Sequence, residues 1–202
     1  MSTVAFDGKR LVSDSSISVD NTVSQTPFRK IFTPDDDGEY WEICGVKAVA
    51  FATVGLPCSG RELRKALQKG LDEDTDTSCF TEQFDGIVID ENGVAHQLVA
   101  TARNKGGQEI IRLHFIPTMG MVAIGSGEQY AMAVMSVGKS ARSAIKAAIA
   151  LNIDTAGCLQ VFEVPPKPET PSKRPAVSVE AIEAKLAQVE KELDKLEAAV
   201  MS

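Results

Sequence analysis

Cysteine, histidine, aromatic side chains and long apolar runs are all scarce in this chain of 202 residues. The four cysteines, Cys44, Cys58, Cys79 and Cys158, form no C-x-x-C pair, and the only histidines are His96 and His114. That leaves no ligand set for a structural zinc, so neither metal nor cofactor is expected. The thiols read as reduced, small core fillers. Phe, Trp and Tyr make up 5% of the residues, and the net charge is −7 with Ser172-Lys173-Arg174 the only locally basic spot. Without base-stacking platforms or a basic stripe, a nucleic-acid partner is excluded from the expectations. No stretch approaches the ~20 apolar residues of a membrane span. Asp7, Lys9 and Arg10 stand where a secretion signal needs an apolar run. The expected location is therefore the cytoplasm or, for a virus-encoded chain, the virion, with no membrane contact.

What is present is an ordinary globular balance, 44% hydrophobic and 24% charged. Val4-Ala5-Phe6 and Leu11-Val12 read as two strands around Asp7-Gly8-Lys9, a turn signal because glycine accepts positive φ. Folding that hairpin about Gly8 sets Asp14 opposite Ser2. A start methionine before a residue as small as serine is normally removed. Ser2 then carries a hydroxyl and a free α-amine, which titrates near pH ~8 and can act as a base. A hydroxyl nucleophile with its own amine as base makes a hydrolase without histidine.

Further along, residues 15–27 are polar and read as a loop, and Phe28 to Phe32 alternates as a strand. Val46 to Ala52 reads as a strand, and Gly60 to Leu71 as a helix capped by Ser59. Gly86–Asp90 and Val94–Val99 flank Asn92-Gly93, a strong hairpin signal. Ile110 to Phe115 and Met119 to Ile124 have strand character. Tyr130–Val137 and Ser140–Leu151 are helical, and Cys158–Val164 is a last strand. Strands and helices in alternating blocks predict an α+β fold, with two mostly antiparallel sheets packed between helical layers as a four-layer αββα sandwich.

Three parts are expected: a domain over 1–164, a Pro-rich linker over 165–176 and a coiled-coil helix over 177–202. The last rests on Val179, Ile182, Leu186, Val189, Leu193, Leu196 and Val200, spaced alternately three and four apart. Such a seam signals association, and a lone amphipathic helix folded back on the body is the alternative.

Four local patterns together resemble the proteasome-type N-terminal-nucleophile hydrolases, among them the bacterial heat-shock ring peptidase and the ancestral β-subunit proteins. Ser2-Thr3-Val4-Ala5 is similar to the family opening, which carries threonine where this chain has Ser2. Leu11-Val12-Ser13-Asp14-Ser15 resembles its second strand, and Arg29-Lys30-Ile31 the setting of its lysine. Ala123-Ile124-Gly125-Ser126-Gly127 resembles its glycine-serine-glycine turn. The resemblance implies Ser2 as nucleophile, Lys30 beside it, Asp14 holding Lys30, and Ser126 and Asp154 around the amine. It further implies a backbone N–H near Thr53 as oxyanion donor, with Gly127 supporting the turn. Two functions follow as expectations. One is a self-compartmentalised peptidase cleaving amide bonds, assembled as a homo-oligomeric ring and served by a coiled-coil partner or an ATPase unfoldase. The other is a non-catalytic structural or assembly protein of the same fold, for example of a viral particle, that associates through its C-terminal helix.

Overall fold

The computed structural model describes residues 2–165 apart from 17, 20–21, 24–26, 35–37, 39, 106–107 and 119. The chain divides into two units, Met1–Lys167 and Pro168–Ser202. The second unit lies outside the described residues, and with it the expected heptad helix.

Among the described residues the first unit is α+β, with two larger antiparallel sheets, a separate two-stranded pair and three α-helices. Its strands are β1 (Thr3–Phe6), β2 (Arg10–Ser13), β3 (Ser18–Val19), β4 (Thr22–Val23), β5 (Ile31–Phe32), β6 (Glu42–Ile43), β7 (Val46–Gly55), β8 (Phe84–Asp90), β9 (Ala95–Lys105), β10 (Gln108–Thr118), β11 (Val122–Gly125) and β12 (Gln160–Glu163). The helices are α1 (Pro57–Lys69), α2 (Glu128–Ser136) and α3 (Ala141–Leu151). One sheet has the order β11-β1-β2-β12, the other β10-β9-β8-β7-β5 with β6 also on β7. The segment read as a loop, 15–27, contains the small β3–β4 pair.

Alternation along β1 decides what each residue meets, since neighbouring side chains point to opposite faces. Val4 and Phe6 join Leu11, Ala52, Val54, Ile87, Ile89 and Ile124 in a buried cluster that both sheets contribute to. Ala5 faces the other way, into a cluster with Val12, Met135, Ala144 and Ile145 from α2 and α3. The second sheet turns its remaining face to α1, where Phe51, Phe84, Val88 and Leu98 meet Leu63 and Leu67. Each large apolar side chain buried in these clusters contributes about 1.5–3 kcal/mol.

The first hairpin differs from expectation by one residue. Val4 pairs with Ser13, Ala5 with Val12 and Phe6 with Leu11. The turn closes at Asp7 and Arg10 (N···O 3.3 Å), so Gly8 and Lys9 form a two-residue loop. The Asp7 carboxylate fixes that loop by accepting from the N–H groups of Lys9 and Arg10, and it also accepts from Ala141 N–H at the start of α3. An even loop has no central residue about which to fold. Thr3 therefore faces Asp14 (Asp14 N–H to Thr3 O, 3.3 Å), and the expected pairing of Asp14 with Ser2 is corrected. Helix α1 also starts earlier than expected. Pro57 occupies its first position after Leu56, without a side-chain cap, and Ser59 lies inside the helix. Proline suits that position because its fixed φ is already helical and its missing N–H is not needed there. Among the described residues no helix is long and apolar enough to cross a membrane.

Candidate functional site

Ser2 precedes β1 and, by alternation, belongs to the face of Val4 and Phe6, toward the second sheet. It is 7% exposed. It lines an open cleft of about 590 Å³ with Val54 and Gly55 at the end of β7, Phe84 and Asp85 on β8, Val99 on β9, and Gly125, Ser126 and Glu128. Its hydroxyl donates to the Ser16 carbonyl at a long 3.4 Å. Its own carbonyl accepts from Ser126 N–H at 3.0 Å. That contact demands a glycine next door. Gly125 has φ +96°, and a Cβ there would lie 2.0 Å from the Ser2 carbonyl oxygen.

Thr3 points to the helical side. Its Oγ1 accepts from Gly127 N–H (2.9 Å) and shares a hydrogen bond with Thr155 Oγ1 (2.7 Å). A Cβ on Gly127 would sit 2.6 Å from Thr3 Oγ1 and 2.9 Å from Ala148 Cβ. Gly127 is thus a packing requirement at the start of α2, which sets the turn against β1.

Asp14 is fully buried and collects donors from four segments. Thr3 N–H (2.9 Å) and Lys30 Nζ (2.7 Å) reach Oδ1. Ser16, through its N–H and its hydroxyl, and Ala156 N–H reach Oδ2. Lys30 is 3% exposed, and its N–H is anchored to Gln160 Oε1 (2.9 Å). Burial pushes the Lys30 ammonium below its ordinary range, and the Asp14 carboxylate opposes that shift. Ile31 pairs with Ala52 and Phe32 with Phe51. Continuing that register one residue sets Lys30 against Thr53.

The structure thus brings Ser2, Asp14, Lys30, Ser126 and Gly127 to one end of the two sheets. Ser126 Oγ is buried there without a hydrogen-bond partner among the described residues. The turn that carries it is held by Asn152, whose Nδ2 donates to Ser126 O (2.7 Å). Thr53 is half-buried near Gly60, and the cleft wall is made by the two residues after it. Asp154 is bonded through its N–H to Asn152 Oδ1, and no contact joins its carboxylate to the cleft among the described residues. The next residue, Thr155, turns inward instead. Sequence reasoning did not single out Thr3, Ser16, Thr155 or Asp85. The signal for Ser16 was the polar run Ser13-Asp14-Ser15-Ser16, which is buried throughout.

Chemically, the arrangement offers a hydroxyl at a cleft, a rigidly held backbone on both sides of it, and a buried ammonium–carboxylate pair bonded to the adjacent amide. Among the described residues no group of His, Cys, Asp and Glu suited to a metal is present.

No protein-family model and no curated protein matches the chain. It is similar to two solved structures of Thiobacillus denitrificans BPH. The one in complex with epoxomicin has 16% identity and a TM-score of 0.49, over 81% of this chain and 100% of that one. The other has 15% identity and a TM-score of 0.49, over 82% and 98%.

Proposed function

We propose that this chain is a proteasome-like peptidase that cleaves amide bonds with Ser2 as its nucleophile. The supporting observation is that Ser2, just before β1, lines the cleft, while Ser126 N–H fixes its carbonyl and Asp14, paired with Lys30, fixes the next amide. On this reading the peptide bond before Ser2 is cut, which frees an α-amine. That amine accepts the Oγ proton as Oγ attacks the substrate carbonyl. The proton then passes to the leaving amine, and water hydrolyses the ester that remains, restoring the hydroxyl. Lys30 holds positive charge close by and favours the deprotonated hydroxyl. Ser126 Oγ, buried and unbonded, suits hydrogen bonding to the new amine. The backbone near Thr53, opposite Lys30, is where the oxyanion donor belongs. Asp154 is assigned to the periphery of that site.

We read the three packing zones as a four-layer αββα sandwich over 1–164, with residues 165–176 as linker and 177–202 as an association helix. Homo-oligomeric ring assembly goes with this reading, and native mass of the full chain tests it. The peptidase itself is tested with a peptide epoxyketone, whose ketone takes a hydroxyl and whose epoxide takes an amine. The expected result is a mature chain beginning at Ser2 with one adduct on that residue. A chain that keeps Met1 and takes no label overturns the proposal.

One observation favours the second reading, a structural or assembly protein without chemistry. Ser2 is 7% exposed and its hydroxyl already has an acceptor in Ser16. This reading predicts no labelling in the full chain, with loss of self-association once residues 176–202 are removed.

A further inference from the structure

The face of β8 that meets the first sheet is apolar except at its end. Ile87 and Ile89 lie in the cluster shared by the two sheets, and the two-residue period puts Asp85 on the same face. Its cross-strand neighbours are Val54 on β7 and Val99 on β9. All three line the cleft with Ser2. Val54 fixes the direction of that row, because its Cγ1 would lie 3.2 Å from a Cβ on Gly125, beside the Ser2 carbonyl. Asp85 is therefore one strand removed from the wall that touches the Ser2 turn.

Its carboxylate is half-buried and makes no hydrogen bond or ion pair among the described residues. Burial alone raises its pKa above the ordinary carboxylate value. Asp14 and Asp90, the two buried carboxylates among the described residues, are by contrast well supplied with donors. The second charged residue of the cleft, Glu128 at the start of α2, is also acidic, and among the described residues no lysine, arginine or histidine lines it.

A half-buried carboxylate without a partner among the described residues, in a cleft whose only other charged side chain among them is acidic, is set to receive a cation and to reject an anion. Resting on the proposed nucleophile, we infer that Asp85 selects substrates carrying an arginine or lysine side chain next to the scissile amide, with Glu128 reinforcing the preference at the rim. Arginine suits Asp85 better than lysine, because its planar fork satisfies both carboxylate oxygens at once.

The test uses the full chain and three peptide epoxyketones that differ only in the residue beside the ketone: arginine, leucine or glutamate. Rates of adduct formation on Ser2 are followed by intact mass. The expected order is arginine, leucine, glutamate, with about tenfold between the first two. In Asp85→Asn the arginine-to-leucine ratio falls toward one, and in Asp85→Lys glutamate overtakes arginine. Thermal unfolding confirms that both variants are folded. Labelling of the native chain at equal rates by the three probes overturns the assignment of Asp85 and leaves Ser2 as nucleophile standing. An unchanged ratio in a folded Asp85→Asn does the same. Labelling by none of the probes overturns the nucleophile, and the selection with it.

Discussion

Asp14 and Asp90 are similar carboxylates in different roles. Both are buried, both accept backbone N–H groups, and both face a basic side chain: Lys30 at 2.7 Å and His96 at 3.2 Å. The donors to Asp90 are Asn92 and Val94 N–H, with His96 beyond them, all within six residues. That carboxylate closes its own hairpin. The donors to Asp14 come from its neighbour Ser16 and from residues 3, 30 and 156, so it ties its own segment to three others distant in sequence. Burial and charge pairing do not separate a turn from a site here. Convergence of remote segments beside a cleft is what sets the candidate site apart.

The largest effect that sharpens this contrast is expected from Asp14→Ala. It leaves the Lys30 ammonium buried without its counter-charge and should cost about 3–5 kcal/mol in denaturant unfolding. Labelling of Ser2 should disappear together with the lost stability. Gly127→Ala comes next. Its Cβ meets Thr3 Oγ1 and Ala148 at impossible distances, and the overpacking should cost about 1–3 kcal/mol. Asp90→Ala removes three local bonds, against five at Asp14, and about 1–3 kcal/mol should be lost. Its labelling rate should match the native chain as long as it is folded. A labelling defect in folded Asp90→Ala would break the distinction drawn between the two carboxylates. Ser126→Ala should stay within about 0.5 kcal/mol of native stability, because its Oγ has no partner to lose, yet slow labelling if that atom serves the amine.

The smallest effects concern pH. Asp85 keeps its proton to higher pH in the folded chain than in the unfolded chain, whose ordinary value is 3.8. The folded state binds more protons in that window, so stability falls as pH rises through it. Asp85→Asn should therefore be the more stable protein at neutral pH and should lose its advantage below pH 3.8, as read from melting temperatures. Lys30 works at the other end. Its folded value lies below 10.5, the unfolded state binds more protons between the two values, and stability should rise with pH across that interval.

Much of this was legible in the sequence because short-range chemistry wrote it. Asn92-Gly93 marks a hairpin that forms, with Gly93 at φ +76°. Gly125-Ser126-Gly127 marks a turn where two glycines are needed against the first strand. The pairing of Lys30 with Asp14 came from resemblance and is present. What was misread depended on tertiary context. A two-residue loop and a loop centred on Gly8 carry the same glycine signal, and only the pairing of Asp7 with Arg10 tells them apart. Ser59 reads as the cap of α1, whereas the helix already begins at Pro57, two residues earlier. Residues 15–16 look like solvated loop in composition, yet they are buried around Asp14. Asp85 was hidden because an isolated acid inside an apolar alternation does not reveal that its end of the strand opens on a cleft.

Ser2 and Thr3, at the start of the first strand, turn to opposite faces with different fates. Ser2 lines a hollow, and the Thr3 hydroxyl is locked by Gly127 and Thr155. Sliding the first strand by a single position would exchange them. The clasp on Thr3 therefore acts as an indexing pin, which fixes which of two adjacent alcohols lies on the cleft side.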